Sequence, residues 1–386
     1  MIVEAKVREF ICTTVHPTGC RENVKRQIDY IKGKGKFQGK KRVLVIGAST
    51  GYGLASRIAL AFGAEAATLG IMFEKESNGK RTATPGWYNT KAFEKFAQEE
   101  GLYAKSLNGD AFSEEIKAET VRQIQKDLGN VDLVIYSLAA PRRTTKEGIT
   151  YHSVLKTCSQ EFTEKSWNLR NNMILKATIP AASQEEIEAT IKVMGGEDWY
   201  QWMDALKKGG VLAKNAVTVA YSYIGPELTY PVYYHGTIGM AKKDLEETAK
   251  RLNRQYKEDG LLAYISVNKA LVTQASSAIP IVPLYFAILY KVMKKKGVHE
   301  GCIEQMRRLY GEKLSVSDCS TDKEGRIRMD DYEMEESVQQ EVMEIWNRIS
   351  TENLSDLADV DGYWEDFYHM FGFRFENVDY SKEVEI

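Results

Sequence analysis

The stretch Val43-Leu-Val-Ile-Gly-Ala-Ser-Thr-Gly-Tyr-Gly53 limits what this chain can fold into more than any other. Its apolar start suits a strand covered on both faces, and Leu54-Ala-Ser56 begins a helix-forming run. Between them the glycines Gly47, Gly51 and Gly53 follow the spacing G-x3-G-x-G. Glycine permits the tight turn out of a parallel strand. Its missing side chain lets the backbone approach a pyrophosphate, which then rests on the free N–H groups at the positive end of the next helix. An ordinary strand–turn–helix can carry the same glycines, so the rest of the chain has to decide.

The rhythm continues beyond the loop. Strands are expected at 42–46, 67–73, 102–107 and 131–137, with helices at 54–62, 91–100 and 113–128 between them. These strands are apolar runs rather than alternations, as a sheet covered on both faces requires. Alternating units of this length imply an α/β fold: a doubly wound parallel sheet of the Rossmann type with helices on both faces. We expect one enlarged domain over 1–386. It comprises an N-terminal arm (1–40), a cofactor-binding half (41–141), a β-like insertion near the substrate site (142–183), a catalytic half (184–310) and a C-terminal extension (311–386). In the later parts, helices are expected at 185–194, 198–206, 237–257 and 281–295, and strands at 216–223 and 261–267. The stretch from there to about Arg348 reads as charged helix, and Trp364, Phe367, Phe371 and Phe373 equip the tail to dock on the body.

Composition removes several classes of function. A formal net charge of −2 leaves no global basic field for nucleic acid or an anionic membrane. Met1-Ile-Val-Glu-Ala-Lys6 carries charges where a secretory leader needs an apolar core. The longest apolar stretch, 278–290, is too short to span a bilayer and holds Pro280 and Pro283. Five scattered cysteines do not suggest a disulfide framework. A cytoplasmic protein without membrane insertion is the simplest expectation.

The ends of the expected strands carry further candidates. Glu74 follows the second strand, where an acidic residue accepts hydrogen bonds from the adenosine ribose of a dinucleotide. A carboxylate there repels the extra phosphate of NADP and so favours NAD(H), although Lys75 beside it has the opposite sign. Asp110, after the third strand, can accept a hydrogen bond from an adenine amino group. Ala139 and Ala140, after the fourth, leave room for a cofactor to pass. In Tyr233-Tyr-His-Gly-Thr-Ile-Gly-Met-Ala-Lys242-Lys243 a phenol and an ammonium are paired. The phenol can donate to a developing oxyanion, and the ammonium can acidify that phenol and hold a ribose. On a continuous helix this spacing sets the two on opposite faces, so if they cooperate Tyr233 has to lie in a loop ahead of the helix, which Gly236 and Gly239 permit. On spacing alone the simpler account is a surface tyrosine pair and solvated lysines. Tyr223, ending a strand, is a second donor or a core residue.

Other patterns carry less. Cys12, His16 and Cys20, with Pro17 and Gly19 between them, make a poor zinc site. Asp318, Asp322 and Glu324 lack a calcium ladder. Lys294-Lys-Lys296 and Arg307-Arg308 read as solvated faces, and His235 as an exposed polar residue.

Taken together, Gly47-Ala-Ser-Thr-Gly-Tyr-Gly53, Ser137-Leu-Ala-Ala-Pro-Arg-Arg143, Met194-Gly-Gly-Glu-Asp-Trp199 and Tyr233-x8-Lys242-Lys243 resemble the trans-2-enoyl-CoA / enoyl-ACP reductase family. So do Ser266-Val-Asn-Lys-Ala-Leu-Val-Thr-Gln-Ala-Ser-Ser277 and His299-Glu-Gly-Cys-Ile-Glu-Gln305. The likeness runs from Ile11 to Tyr380, and the widened Tyr-x8-Lys spacing is its specific part. It implies a monomer that reduces the 2,3 double bond of an enoyl thioester, on CoA or acyl-carrier protein, with NADH in preference to NADPH. It also implies roles for named residues. Gly47, Ala48, Ser49, Thr50, Gly51 and Tyr52 would form the pyrophosphate loop. Phe73 and Glu74 would meet the adenosine ribose, Asp110 and Ala111 the adenine. Leu138 and Ala139 would make the fourth-strand contact, and Leu271, Val272 and Thr273 would line the nicotinamide side. Tyr233 would be the proton donor, Lys242 the cofactor-binding lysine and Tyr223 a substrate contact. No metal is implied. Two other readings compete: a ketoreductase-type short-chain dehydrogenase, which wants a Tyr-x3-Lys pair that the region after Ala216 lacks, and a dinucleotide sensor without turnover.

Overall fold

Strand β1 (Arg42–Ile46) shows why the sheet has to be covered twice. Val43 and Val45 enter one apolar cluster with Val24, Leu54, Phe93 and Met306. Leu44 and Ile46 enter another with Ile124, Trp199, Trp202 and Leu252. Alternate side chains of a strand face opposite ways, so an uninterrupted apolar run needs helices on both sides. The structure, a computed structural model, describes residues 1–386 apart from 9–10, 275, 277–278 and 315–318. Asp318 of the rejected calcium pattern, and Ala275 and Ser277 of the Ser266–Ser277 stretch, lie outside the described residues.

The remaining strands of the central sheet are β2 (Ala67–Met72), β3 (Ala104–Asn108), β4 (Val131–Tyr136), β5 (Leu212–Ser222), β6 (Leu262–Val267) and β7 (Arg326–Arg328). They lie in the order β3-β2-β1-β4-β5-β6-β7, and every pairing is parallel. The chain runs outward from β1 to β3, then crosses back to β4. The carboxyl ends of β1 and β4 therefore border the crevice where such folds bind ligands.

Helices α1 (Pro17–Gly33), α2 (Gly51–Ile58) and α3 (Pro85–Glu99) cover one face. On the other lie α4 (Glu114–Asp127), α6 (Glu197–Lys208) and α7 (Thr237–Gln255), while α5 (Gln184–Met194) packs on α7. A third cluster surrounds α8 (Val282–Lys296), whose residues from Val282 to Tyr290 are all buried. A helix apolar all round needs partners all round. These come from α10 (Glu336–Arg348) and α12 (Val360–Met370), which follow α9 (Cys302–Arg308) and the short α11 (Leu354–Leu357). Phe367, Phe371 and Phe373 of the tail are buried there, as expected. No helix among the described residues is long and apolar enough to cross a membrane.

Several boundaries differ from the sequence reading. Pro85 opens α3 instead of preceding it, because proline at the first helical position gives up only an N–H that has no partner there. The second helix begins at Gly51 and passes into a π-helical turn over Ala59–Gly63. The insertion is two antiparallel hairpins, Arg142–Thr144 with Thr150–His152 and Phe162–Asn168 with Met173–Ile179. Strand β7 sits in a stretch read as helix. Three residues carry too little periodicity to announce a strand, and pairing with β6 makes it one. The Arg307-Arg308 pair is not a solvated face. Arg308 is buried and ion-paired with Glu300 and Asp331. Lys294 pairs with Asp359, and Lys295 with Glu341.

Candidate active site

The glycine loop is shaped by contacts that a side chain would destroy. Gly47 has φ +84°, and a Cβ there would lie 2.3 Å from the Ser137 carbonyl oxygen of the β4 end. A Cβ on Gly53 would lie 1.9 Å from the Gly47 carbonyl oxygen. Gly51 differs. At φ +52° its missing side chain opens onto a gap whose far wall is Thr273, 3.9 Å away. Thr50, the N-cap of α2, accepts no hydrogen bond with its side chain. The positive end of α2 therefore faces that gap uncapped, as a pyrophosphate-binding turn requires. These residues fit a dinucleotide.

Asn108 holds the turn that carries Glu74. Its Oδ1 accepts from the Glu74 N–H at 2.8 Å and its Nδ2 donates to the Glu74 carbonyl at 2.9 Å. The sequence reading gave Asn108 no role. Ser49 Oγ donates to Glu74 Oε1 at 2.6 Å, and Gly86 leaves room for that carboxylate, since a Cβ there would lie 2.1 Å from it. Phe73 is 75% exposed beside it, a bare ring at the end of β2. Asp110 accepts from the Phe112 N–H at 2.9 Å, which holds the turn after β3, and Ala111 is buried next to it. Leu138 and Ala139 follow Ser137, whose N–H donates to Ile46 across the β1–β4 border.

Two assigned residues behave differently from the sequence reading. The Tyr52 hydroxyl donates into the protein, to the Lys269 carbonyl at 2.8 Å, so only its backbone remains for a cofactor. Lys242 Nζ donates to the Tyr221 carbonyl of β5 at 2.9 Å, and burial lowers its pKa to about 8. It does not acidify Tyr233. Burial and the nearby Glu333 hold that phenol well above the ordinary tyrosine range. Tyr233 enters the site protonated.

Tyr233 lies in the turns before α7, where the spacing argument required it. The loop closes back over the first turn of the helix. A Cβ on Gly239 would lie 2.3 Å from the Tyr233 carbonyl oxygen, and one on Gly236 would lie 2.2 Å from that of Val232. The Tyr233 ring meets Tyr223 edge-on, with centroids 4.7 Å apart. Tyr223 follows β5 by one residue and donates to Glu333 at 3.0 Å. The segment Leu271-Val-Thr273 is tied from three sides. Val272 N–H donates to Tyr290, Thr273 N–H to Ser276, and Ala270 N–H to Glu333. Sequence reasoning missed Glu333 and Tyr285, whose hydroxyl donates to that carboxylate. Glu333 stands in the acidic run Asp330-Asp-Tyr-Glu-Met-Glu-Glu336, where nothing separates a buried carboxylate from a solvated one. His16, read as a failed zinc ligand, caps α1 by accepting from the Gly19 N–H, and no metal-binding cluster occurs among the described residues.

A doubly wound sheet with a glycine loop at its switch point is the architecture of a dinucleotide-binding protein. Known families match along almost the whole length. Residues 2–79 match the NAD(P)H binding domain of trans-2-enoyl-CoA reductase, 81–315 the trans-2-enoyl-CoA reductase catalytic region, and 321–384 a region described as an enoyl reductase FAD binding domain. The chain belongs to the trans-2-enoyl-CoA reductase family. It is 55% identical to the NADH trans-2-enoyl-CoA reductase of Ruminiclostridium cellulolyticum, covering all of this chain and 98% of that one. It is 56% identical to the NADH enoyl-[acyl-carrier-protein] reductase of Flavobacterium johnsoniae, with the same coverage. The crystal structure of the Clostridium acetobutulicum trans-2-enoyl-CoA reductase in complex with NADH superimposes with a TM-score of 0.97 at 47% identity, covering 100% of this chain and 98% of that one.

The third description names a flavin, and residues 321–384 do not fit one. Strand β7 has three residues, and no glycine loop joins it to α10. Its arginines are already paired, Arg326 with Asp322 and Glu246, Arg328 with Asp330. Of its buried polar side chains, Asp330 and Glu333 have the wrong sign for a pyrophosphate and Arg326 is one of the paired arginines.

Proposed function

We infer that this protein reduces the trans-2,3 double bond of an enoyl thioester to the saturated acyl thioester with NADH. The observation that carries the reading is full-length identity above one half to NADH enoyl reductases. NADH supplies the hydride when bound. The substrate's carbonyl oxygen then gains negative charge, and Tyr233 is our donor to it, its phenol kept protonated until that moment. A donor of this kind contributes on the order of 2–4 kcal/mol to lowering the barrier. Lys242, a buried ammonium anchored on β5, is assigned to the ribose beside the nicotinamide. Glu74 is assigned to the adenosine ribose, and Gly47 to Thr50 with the start of α2 to the pyrophosphate. We assign Leu271, Val272 and Thr273 to the nicotinamide wall, and Phe73, Asp110, Ala111, Leu138 and Ala139 to the rest of the crevice.

The relatives divide between CoA and acyl-carrier protein at almost equal identity, so either carrier is an acceptable substrate class here. We also read the chain as one domain and a monomer. The N-terminal amine bonds to Val384, and the His16 N–H to Phe371, so the two ends close on one body. Five free thiols suit a reducing cytoplasm. The test is NADH oxidation with short and long enoyl thioesters on both carriers, beside an acetoacetyl thioester. Consumption with the enoyl substrates alone is expected. Consumption with the ketoacyl substrate alone would return the ketoreductase, and binding without consumption would return the sensor.

A further inference from the structure

Glu333 is fully buried, and it comes from the loop between β7 and α10, far along the chain from the other site residues. Its Oε1 accepts from the hydroxyls of Tyr223 at 3.0 Å and Tyr285 at 2.7 Å, and its Oε2 from the Ala270 N–H at 2.7 Å. One carboxylate thus joins the end of β5, the first turn of α8 and the start of the nicotinamide segment. Tyr285 is held in this sense from its other side, since Gln339 Nε2 donates to it at 3.3 Å and to the Glu333 carbonyl at 2.6 Å. The charged and titratable groups facing Glu333 are Lys269 after β6, Tyr52 of α2, Tyr223, Tyr233 and Tyr285 from their own elements, and Asp330 on its own loop. Burial and Asp330 push its carboxyl up. Lys269, the Ala270 N–H and Tyr285 oppose them.

A phenol has one proton. While Tyr223 gives that proton to Glu333, it has none for the substrate. We propose that Glu333 is a positioning residue for the reduction: it turns the Tyr223 proton inward, makes Tyr223 an acceptor on the substrate side, and so leaves Tyr233 as the single phenol able to donate to the developing oxyanion. This rests on the enoyl-reductase reading and replaces Tyr223 as a second donor. The charge of Glu333 serves the same end, since it disfavours loss of the Tyr233 proton.

Glu333→Gln tests the polarity, because the backbone orients the new amide. Its oxygen has to accept from the Ala270 N–H, which leaves the NH2 group to donate to Tyr223 and Tyr285 and to turn the Tyr223 proton outward. With a full-length protein we expect kcat to fall by about tenfold or more while NADH affinity changes by less than about twofold. In a Tyr223→Phe background the same substitution should cost less than about twofold, because its route has been removed. The basic limb of the pH–kcat profile should move to lower pH. Tyrosine ζ-carbon resonances of Tyr223 and Tyr233 should shift in the NADH complex, and Glu333→Asp, still an acceptor-only carboxylate, should recover part of the rate. An unchanged kcat, multiplying losses in the double variant, or unmoved ζ-carbon signals would each overturn the proposal. Should Glu333→Gln not fold, an acid titration of the unsubstituted protein decides. The Tyr223 ζ-carbon signal should move as Glu333 takes up its proton, and a flat response sinks the idea. If the unsubstituted protein consumes no NADH with any enoyl thioester, the function above fails, while the resonances still rule on Glu333.

Discussion

The two walls of the crevice are made of different material. The wall we assign to the cofactor is mostly backbone: Gly47, Gly51 and Gly53 shape a turn, the uncapped start of α2 faces the gap, and Asn108 grips Glu74 through its main chain. The wall we assign to the substrate is mostly side chain. Tyr233 and Lys242 flank the start of α7, Tyr223 follows β5, and Glu333 arrives from beyond β7. A backbone site is specified by short-range geometry, so it leaves a compact mark in the chain. A side-chain site is specified by which distant segments happen to pack together, so its marks are scattered.

This contrast predicts that damage to the two walls separates binding from turnover. The largest effect belongs to Tyr233→Phe. We expect turnover to fall on the order of a hundred- to a thousand-fold, as for loss of an oxyanion donor, with NADH affinity intact. Steady-state rates beside a fluorescence titration check it, and near-normal turnover would remove Tyr233 from the mechanism. Gly53→Ala comes next. The new Cβ meets a backbone carbonyl oxygen at 1.9 Å, so the loop has to shift at a cost of about 1–3 kcal/mol. NADH affinity and the thermal midpoint should fall together, and a variant that binds NADH like the parent contradicts the tight loop.

Lys242→Met should weaken NADH about tenfold, close to 1.4 kcal/mol. The unsubstituted protein carries its own control. Burial sets the Lys242 ammonium to titrate at about 8, so its charge is present below that pH and lost above it. NADH affinity should therefore decline as pH rises through about 8, and the methionine variant should show no such decline. An equal decline in both would assign the titration elsewhere. The smallest effect is expected for Asn108→Ala, which removes two hydrogen bonds from the Glu74 backbone. Each is worth about 0.5–1.5 kcal/mol, so NADH affinity should drop several-fold while saturated turnover stays. A change in saturated turnover would mean that the adenosine wall reaches the chemistry.

Legibility followed the same division. The strands β1, β2, β4 and β6 were readable to within a residue or so, because a run of Val, Leu and Ile bounded by Gly or polar turns has few other uses. The loop position of Tyr233 followed from helical geometry once Tyr233 and Lys242 were taken to act together. β7 and the two hairpins of the insertion were not readable at this detail, since short strands exist by virtue of the partner they pair with. The Arg308–Glu300–Asp331 group looked like surface charge, and so did Glu333, because a charged residue looks the same in sequence whether water or a buried partner satisfies it.

From the order of residues alone came the doubly wound sheet, the turn for a pyrophosphate, the acidic residue after β2 and the phenol ahead of α7. All of these depend on neighbours within a few positions, where periodicity and glycine sterics act. Packing alone settled that Lys242 spends its proton on β5, that Tyr52 points into the protein, and that Tyr223 gives its proton to a carboxylate more than a hundred residues away. A hydrogen bond has a direction and a reach of about 3 Å. No pattern along a chain records which distant atoms will come within it.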